Sequence, residues 1–181
     1  MPLTSKPAAY YSANKMNNRI NDAIDMQILN ILQANAQTTN AEIARRVGLA
    51  PSAVLERVRK LEEAGVIRGY VTDIDPARMG FGLTAFVFVR TNCGENIDRA
   101  LTAIPEVLEV HDVAGEDCYL LKVRAESTEA LGRLLREKLK SIPEITSTRT
   151  TVALKTLKET IALPIPGAGK KEKSPRGGKK R

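Results

Sequence analysis

Between Thr39 and Gly65 the chain reads TNAEIARRVGLAPSAVLERVRKLEEAG, and the break at Val47-Gly48-Leu49-Ala50-Pro51 limits its fold more than any other feature. Thr39 and Glu42 stand at the spacing of a capping box, ahead of apolar Ile43, Ala44 and Val47, and Gly48 supplies a stop. These signals predict a helix of only about two turns. Pro51 suits the first turn of a further helix, where its missing N–H costs no hydrogen bond. Val54, Val58 and Leu61 then recur on one face until Gly65 ends it. Upstream, Ile24, Ile28, Ile31 and Leu32 repeat at helical spacing behind a cap at Asn21 or Asp22. A short helix, a three-residue link containing glycine and a longer helix form the helix-turn-helix pattern.

Stepping about 100° per residue from Val54 leaves Ser52, Glu56, Arg59 and Lys60 on the far side of the longer helix, flanked by Ala53 and Arg57. Small residues at the start of that face would let a backbone approach bases, and the cations further along suit phosphates or guanine edges. Arg45 and Arg46, ending the short helix, are further candidates for phosphate contact, while Asp22, Asp25, Glu62 and Glu63 read as peripheral. Residues 21–70 carry six basic and six acidic side chains, so charge alone does not separate a DNA reader from a tri-helical partner-binding module.

From Val66 the period changes. VIRGYVTDID reads as extended and is stopped by Pro76, Gly80 and Gly82. LTAFVFVRT then reads as a strand, NIDRALTAIP as a helix, VLEVHDVAG and CYLLKVRA as strands, TEALGRLLREKLKSIP as a helix and ITSTRTTVALKTL as a last strand. In that last strand Thr146, Thr148 and Thr150 alternate and so share one side. The order β-α-β-β-α-β describes a four-stranded antiparallel sheet with both helices on one face, the ferredoxin-like arrangement. The expected class is α+β. Residues 1–20 form an arm and 21–68 a helix-turn-helix domain of winged-helix-like, all-α type. Residues 69–82 form a hinge strand and linker, 83–163 the ferredoxin-like domain and 164–181 a disordered basic tail.

The net charge of +7 sits at the ends: residues 164–181 carry seven basic side chains and one acidic, and residues 1–20 three basic and none acidic. The tail therefore reads as an arm of non-specific DNA affinity, and the folded part is not basic overall. Cys93 and Cys118 stand 25 positions apart with no CxxC pair, and His111 is the single histidine. That spacing argues against a disulfide framework or a metal site. It leaves the thiols reduced and His111 a strand or interface residue. No Ser-His-Asp set or phosphate-binding glycine loop is present, so neither an enzyme nor a cofactor is expected. With no run of about 18 apolar residues and no apolar centre near the N-terminus, the expectation is a soluble, cytoplasmic, nucleoid-associated protein with no membrane partner.

IDMQILNILQANAQTTNAEIARRVGLAPSAVLERVRKLEEAGVIRGYVTDIDPARMG, followed by VAGEDCYLLKV and ITSTRTTVALKTLKETIALPI, resembles the Lrp/AsnC family, the leucine- and asparagine-responsive transcription regulators of bacteria and archaea. The resemblance spans 21–164 and implies double-stranded DNA as a partner for the longer helix. It also implies dimerisation through the sheet, assembly of the homodimer to a tetramer or octamer, and a free amino acid bound between dimers. The loop Ala114, Gly115, Glu116, Asp117, Cys118 and Tyr119 would form part of that pocket, with Leu134, Lys138, Thr148 and Thr150 on its facing side. Read without the resemblance, the loop is a hairpin turn and the threonines are good strand formers. Two positions depart from the family. Ala50 stands where serine is common before the proline, and Cys118 where an acid often precedes the aromatic, with Asp117 one place earlier. Leu134 implies an apolar or small ligand side chain and Lys138 disfavours a basic one. An amino-acid-insensitive architectural DNA-binding protein has the same composition and is the alternative.

Overall fold

The computed structural model describes residues 22–92 and 96–166. The N-terminal arm, Cys93 and residues 167–181 of the tail lie outside them. The chain divides into two units, Met1–Val71 with Thr160–Arg181, and Thr72–Glu159. No helix among the described residues is long and apolar enough to cross a membrane.

The first unit holds α1 (Ala23–Ala34), α2 (Asn40–Val47) and α3 (Pro51–Glu63). The Asp22 carboxylate accepts from the Ile24 and Asp25 amides at 2.8 and 3.0 Å, fixing the start of α1. The Thr39 hydroxyl accepts from the Glu42 amide at 3.2 Å, while the Glu42 carboxylate pairs with Arg45 and Arg46. Gly48 takes φ +71°, a region glycine enters without strain, and this lets the Leu49 amide reach the Ala44 carbonyl and end α2. Ile28, Ile43, Ala44, Val54 and Val58 close the core between the three helices.

Ala50 caps α3 with no side-chain hydrogen bond. Ala50→Ser supplies the missing acceptor and should stabilise this unit by about 0.5–2 kcal/mol. A raised thermal midpoint of the helical transition checks this, and an unmoved one would mean that the cap is already satisfied.

One expectation is corrected. Residues 69–75 do not form a strand, and among the described residues the sheet has four strands, all beyond residue 82. A strand is held by its neighbour, and Gly69 at φ +156° interrupts the run; Tyr70 instead donates its hydroxyl to Glu62 at 2.9 Å. Residues 160–163, at the end of the expected 83–163 domain, make their contacts with the helical unit. The Gln33 amide explains it: its nitrogen donates to the Leu163 carbonyl at 3.2 Å and its oxygen accepts from the Leu163 amide at 2.6 Å. Asn30 adds a bond to the Pro166 carbonyl at 3.4 Å.

The second unit runs β1 (Leu83–Thr91), α4 (Ile97–Thr102), β2 (Val107–Asp112), β3 (Tyr119–Ala125), α5 (Thr128–Arg133) and β4 (Ile145–Ala153). The strand order is β2-β3-β1-β4 and every pairing is antiparallel. Ala85, Val87, Val89, Leu121 and Val123 pack with Ile97, Leu101, Leu131, Leu134 and Leu139 from the helices, so both helices cover one face. Beyond Arg133 the last helix widens into a π-helical segment, Leu134–Leu139. The Lys140 amide there bonds the Leu135 carbonyl at 3.1 Å. In an α-helix residues five apart diverge by about 140°. The wider winding lets Leu134 and Leu139 both reach the core.

A bulge at Arg90/Thr91 leaves Thr146 without a partner in the ladder. Its hydroxyl donates to the Arg90 carbonyl at 3.1 Å, so it does not continue the alternation expected with Thr148 and Thr150.

The face opposite the helices carries a charged network. The Lys122 ammonium pairs with Glu109 at 2.8 Å and with Glu159, and Arg124 pairs with Glu159 at 2.6 Å. Lys122 holds both carboxyls below the usual range. A depressed folded-state pKa contributes stability above the unfolded value that is lost as pH falls through the folded value. The sheet unit should therefore weaken as pH drops below about 4.3, the ordinary glutamate value. Thermal melts of wild type and Glu159→Gln across that range check this, since the variant should lose part of the slope.

Candidate DNA interface and effector site

The link Gly48-Leu49-Ala50 turns the chain from α2 into α3, and α3 buries Val54, Val58 and Leu61. Ser52, Arg59 and Lys60 are exposed on the other side, with Ala53 and Glu56 half-buried. The cations there are held in register by acids on the same helix. Arg59 bonds Glu56 and Glu63 at 2.9 Å each, and Lys60 lies 3.6 Å from Glu56. The Arg59 guanidinium is the main reason that the Glu56 carboxyl lies below its usual range. Arg45 and Arg46 share Glu42 in the same way on α2. These pairs are exposed, so a phosphate can replace a carboxylate at little cost.

Arg57 is the correction on this surface. Its guanidinium turns away to α1 and bonds Asp25 at 2.7 Å and Asp22 at 3.3 Å. Asp22 and Asp25, expected at the periphery, are thus the partners that receive it. The side chain is two-thirds covered and ties α3 to the first turn of α1. Projection by 100° steps places it on the flank of the outward face but cannot see that a neighbouring helix supplies carboxylates there.

In the sheet unit, the loop from Ala114 to Cys118 joins β2 to β3 and is framed at its base by two backbone bonds. Val113 donates to the Cys118 carbonyl and Cys118 donates to the Val89 carbonyl, both at 2.9 Å. The Cys118 thiol reaches the Thr91 carbonyl at 3.8 Å, and hydrogen bonding at Thr91 lowers its pKa. Tyr119 donates its hydroxyl to Asp98 at 2.6 Å, and burial followed by that carboxylate pushes its pKa above the usual range. Thr148 and Thr150 pair with the buried Val89 and Val87, which sets them on the helix side of the sheet.

Leu134 and Lys138 lie elsewhere. They line a cavity of about 230 Å³ with Phe81, Glu106, Ala130 and Glu137. Glu106 lies beside the far end of β3, where its carbonyl accepts from Arg124. The run from Cys118 to Arg124 separates this cavity from the loop by about 20 Å of strand. Within one chain, then, the structure brings the loop near Thr148 but does not bring it to Leu134 and Lys138. Lys138 is also not a free cation: Glu106 takes it through both carboxylate oxygens, at 2.6 and 2.8 Å. Glu106 thus answers the charge on which the expectation against a basic ligand rests.

Arg90 and Arg149, which sequence reading passed over, reach the loop from β1 and β4. Arg90 donates to the Glu116 carbonyl and Arg149 to the Asp117 carboxylate, each at 2.9 Å. The strand alternation that buries Val87 and Val89 puts Phe88, Arg90 and Arg149 on the opposite face, and this was the available signal. His111 lies exposed in β2, 3.2 Å from Glu109. Among the described residues no group of three or more His, Cys, Asp or Glu side chains is placed to hold a metal ion.

A helix pair of this geometry joined to a sheet domain with a structured loop defines a DNA-binding regulator with a ligand domain. Residues 21–68 match the winged helix-turn-helix DNA-binding profile and residues 84–163 the Lrp/AsnC ligand binding domain. An HTH-type transcriptional regulator of Pyrococcus horikoshii is 38% identical over 146 residues, covering 80% of this chain and 96% of that protein. The leucine-responsive regulatory protein of Escherichia coli is 38% identical over 149 residues, covering 80% and 91%. A transcriptional regulator of Neisseria meningitidis, solved with L-methionine, superposes with a TM-score of 0.77 at 32% identity, covering 80% and 97%. The feast or famine regulatory protein of M. tuberculosis, also complexed with L-methionine, gives 0.75 at 36%, covering 80% and 99%. The chain belongs to the Lrp/AsnC family of transcriptional regulators and is a ligand-responsive DNA-binding protein.

Proposed function

We propose that this protein regulates transcription by binding double-stranded DNA through Arg45, Arg46 and the outward face of α3, from Ser52 and Ala53 to Glu56, Arg59 and Lys60. A free amino acid, bound between dimers, alters that binding. The ligand contacts the loop from Ala114 to Tyr119, with Thr148 and Thr150 beside it on β4 and with Leu134 and Lys138 on the facing side. The separation of the loop from Leu134 and Lys138 carries this reading. One chain holds the two groups at opposite ends of β3, so a pocket using both must draw them from different copies. Homodimers assembling to tetramers or octamers provide such copies.

Leu134 is almost fully buried and offers an apolar wall, while the Lys138–Glu106 pair is neutral overall. An apolar side chain fits that wall, and methionine, present in the relatives from N. meningitidis and M. tuberculosis, is the first to try. The ligand shifts the relative placement of dimers, and hence the alignment of helix pairs with spaced half-sites. The basic tail adds non-specific attraction to phosphates.

The test is a gel shift on the gene's own upstream DNA at fixed salt, with each of the twenty amino acids in turn, alongside sedimentation of the same mixtures. A change in affinity or assembly with one or a few amino acids is expected. Tight binding that ignores all of them would instead mark an architectural protein of the nucleoid.

A further inference from the structure

The loop Ala114–Cys118 has little apolar packing of its own, yet it is gripped from two strands. Arg90 donates through Nε to the Glu116 carbonyl at 2.9 Å, and its Nη2 lies 3.8 Å from the Glu116 carboxylate and 3.9 Å from Asp117. Arg149 donates through Nη2 to the other oxygen of Asp117 at 2.9 Å. Arg149 is itself immobilised, because its guanidinium lies 4.1 Å from the centre of the Phe88 ring, its partner across the β1–β4 ladder. Asp117 has only 15% of its side chain exposed, whereas that of Glu116 is 95% exposed. Asp117 thus gives one oxygen to a charge-assisted bond from Arg149 and has a second guanidinium, Arg90, 3.9 Å from the other, so its charge is answered from both strands.

We propose that Arg90 and Arg149 are positioning residues of the effector loop. By holding Asp117 and the Glu116 carbonyl they keep the loop backbone in the shape that receives an amino acid, and Asp117 is an anchor and not the acceptor of the ligand's ammonium. The proposal rests on the reading of this loop as part of the effector site. Its physical basis is pre-organisation: a loop already ordered by protein contacts costs less to order on binding, so the grip appears as affinity. It also places the loop under the control of the helix-free face of the sheet, since Phe88, Arg90 and Arg149 all belong to that face.

The experiment uses the full chain and the variants Arg149→Gln, Arg149→Lys, Asp117→Asn and the double variant Arg149→Gln with Asp117→Asn. Two quantities are read: amide hydrogen exchange of residues 114–118 without ligand, and calorimetric affinity for each of the twenty amino acids. Arg149 is more than half exposed, so the thermal midpoint should stay close to wild type. Exchange in the loop should quicken, and Kd for any amino acid that wild type binds should rise about tenfold, as loss of one charge-assisted bond implies. The double variant should be no weaker than either single one, because both remove the same contact. Arg149→Lys should recover part of the loss. Unchanged exchange, or quicker exchange with unchanged Kd, overturns the proposal alone. Wild type that binds none of the twenty overturns the effector reading and the proposal with it.

Discussion

Replacing Ile43 with alanine will melt the helical unit at a temperature where the sheet unit stays folded. Ile43 is fully buried, and it is one of the five buried residues at the centre of the three-helix core. Truncating such a side chain removes its transfer free energy and leaves a cavity, together about 2–5 kcal/mol. A unit this small has little stability in hand, since whole domains seldom exceed about 15 kcal/mol. The sheet unit shares none of these residues, as its core is built from β1, β3 and the helices α4 and α5. Circular dichroism should show the helical signal lost in an early, separate transition, and gel shifts above it should show no complex. Ile43→Val removes one methylene and should cost only about 0.5–1.5 kcal/mol. A single transition that moves as a whole would show that the two units unfold as one, contrary to their separate cores.

Ser52→Glu should do the reverse: leave the fold intact and remove DNA binding. Ser52 is exposed in the first turn of α3, a turn that has no acidic residue. A carboxylate near a helix N-terminus is favourable by about 0.3–1 kcal/mol, so stability should hold or rise slightly. On the proposed DNA face the same charge would meet phosphates and fill the space through which the helix start would approach base edges. Loss of one good base contact is worth about 1–3 kcal/mol, and with added repulsion the affinity should fall by about 100-fold at fixed salt. Gel-shift titration reads this directly, and an unchanged midpoint would remove the start of α3 from the reading surface. Arg57→Ala is the less informative variant. It also releases Asp22 and Asp25, so a weaker complex could reflect a loosened α1.

Local signals carried most of the fold because they act over few residues. Thr39 and Gly48 bracket α2 through bonds to neighbours three and four positions away, and the alternation in β1 and β3 follows from a single buried face. Contacts between distant segments were hidden for the opposite reason. Arg57 meets Asp25 from 32 positions away, and Leu163 meets Gln33 from 130 away. Nothing in the local pattern of either segment announces its partner. The extended run 69–75 carries strand-forming residues, but a strand also needs a neighbour, which sequence does not supply. The resemblance points to the loop from Ala114 to Tyr119 and not to Arg90 and Arg149. Their role depends on which strands flank the loop, a property of sheet order and not of spacing.

The chain passes between the two units twice, after Val71 and again after Glu159. Topologically the sheet unit is an insert, and its first and last strands lie side by side, with Thr84 opposite Ala153. A gene fragment for residues 72–159 is therefore a natural cut, while one ending near residue 71 discards the segment that satisfies the Gln33 amide. Variants compared for operator affinity should keep the stretch from Leu163 to Pro166 intact, because α1 is bonded to it.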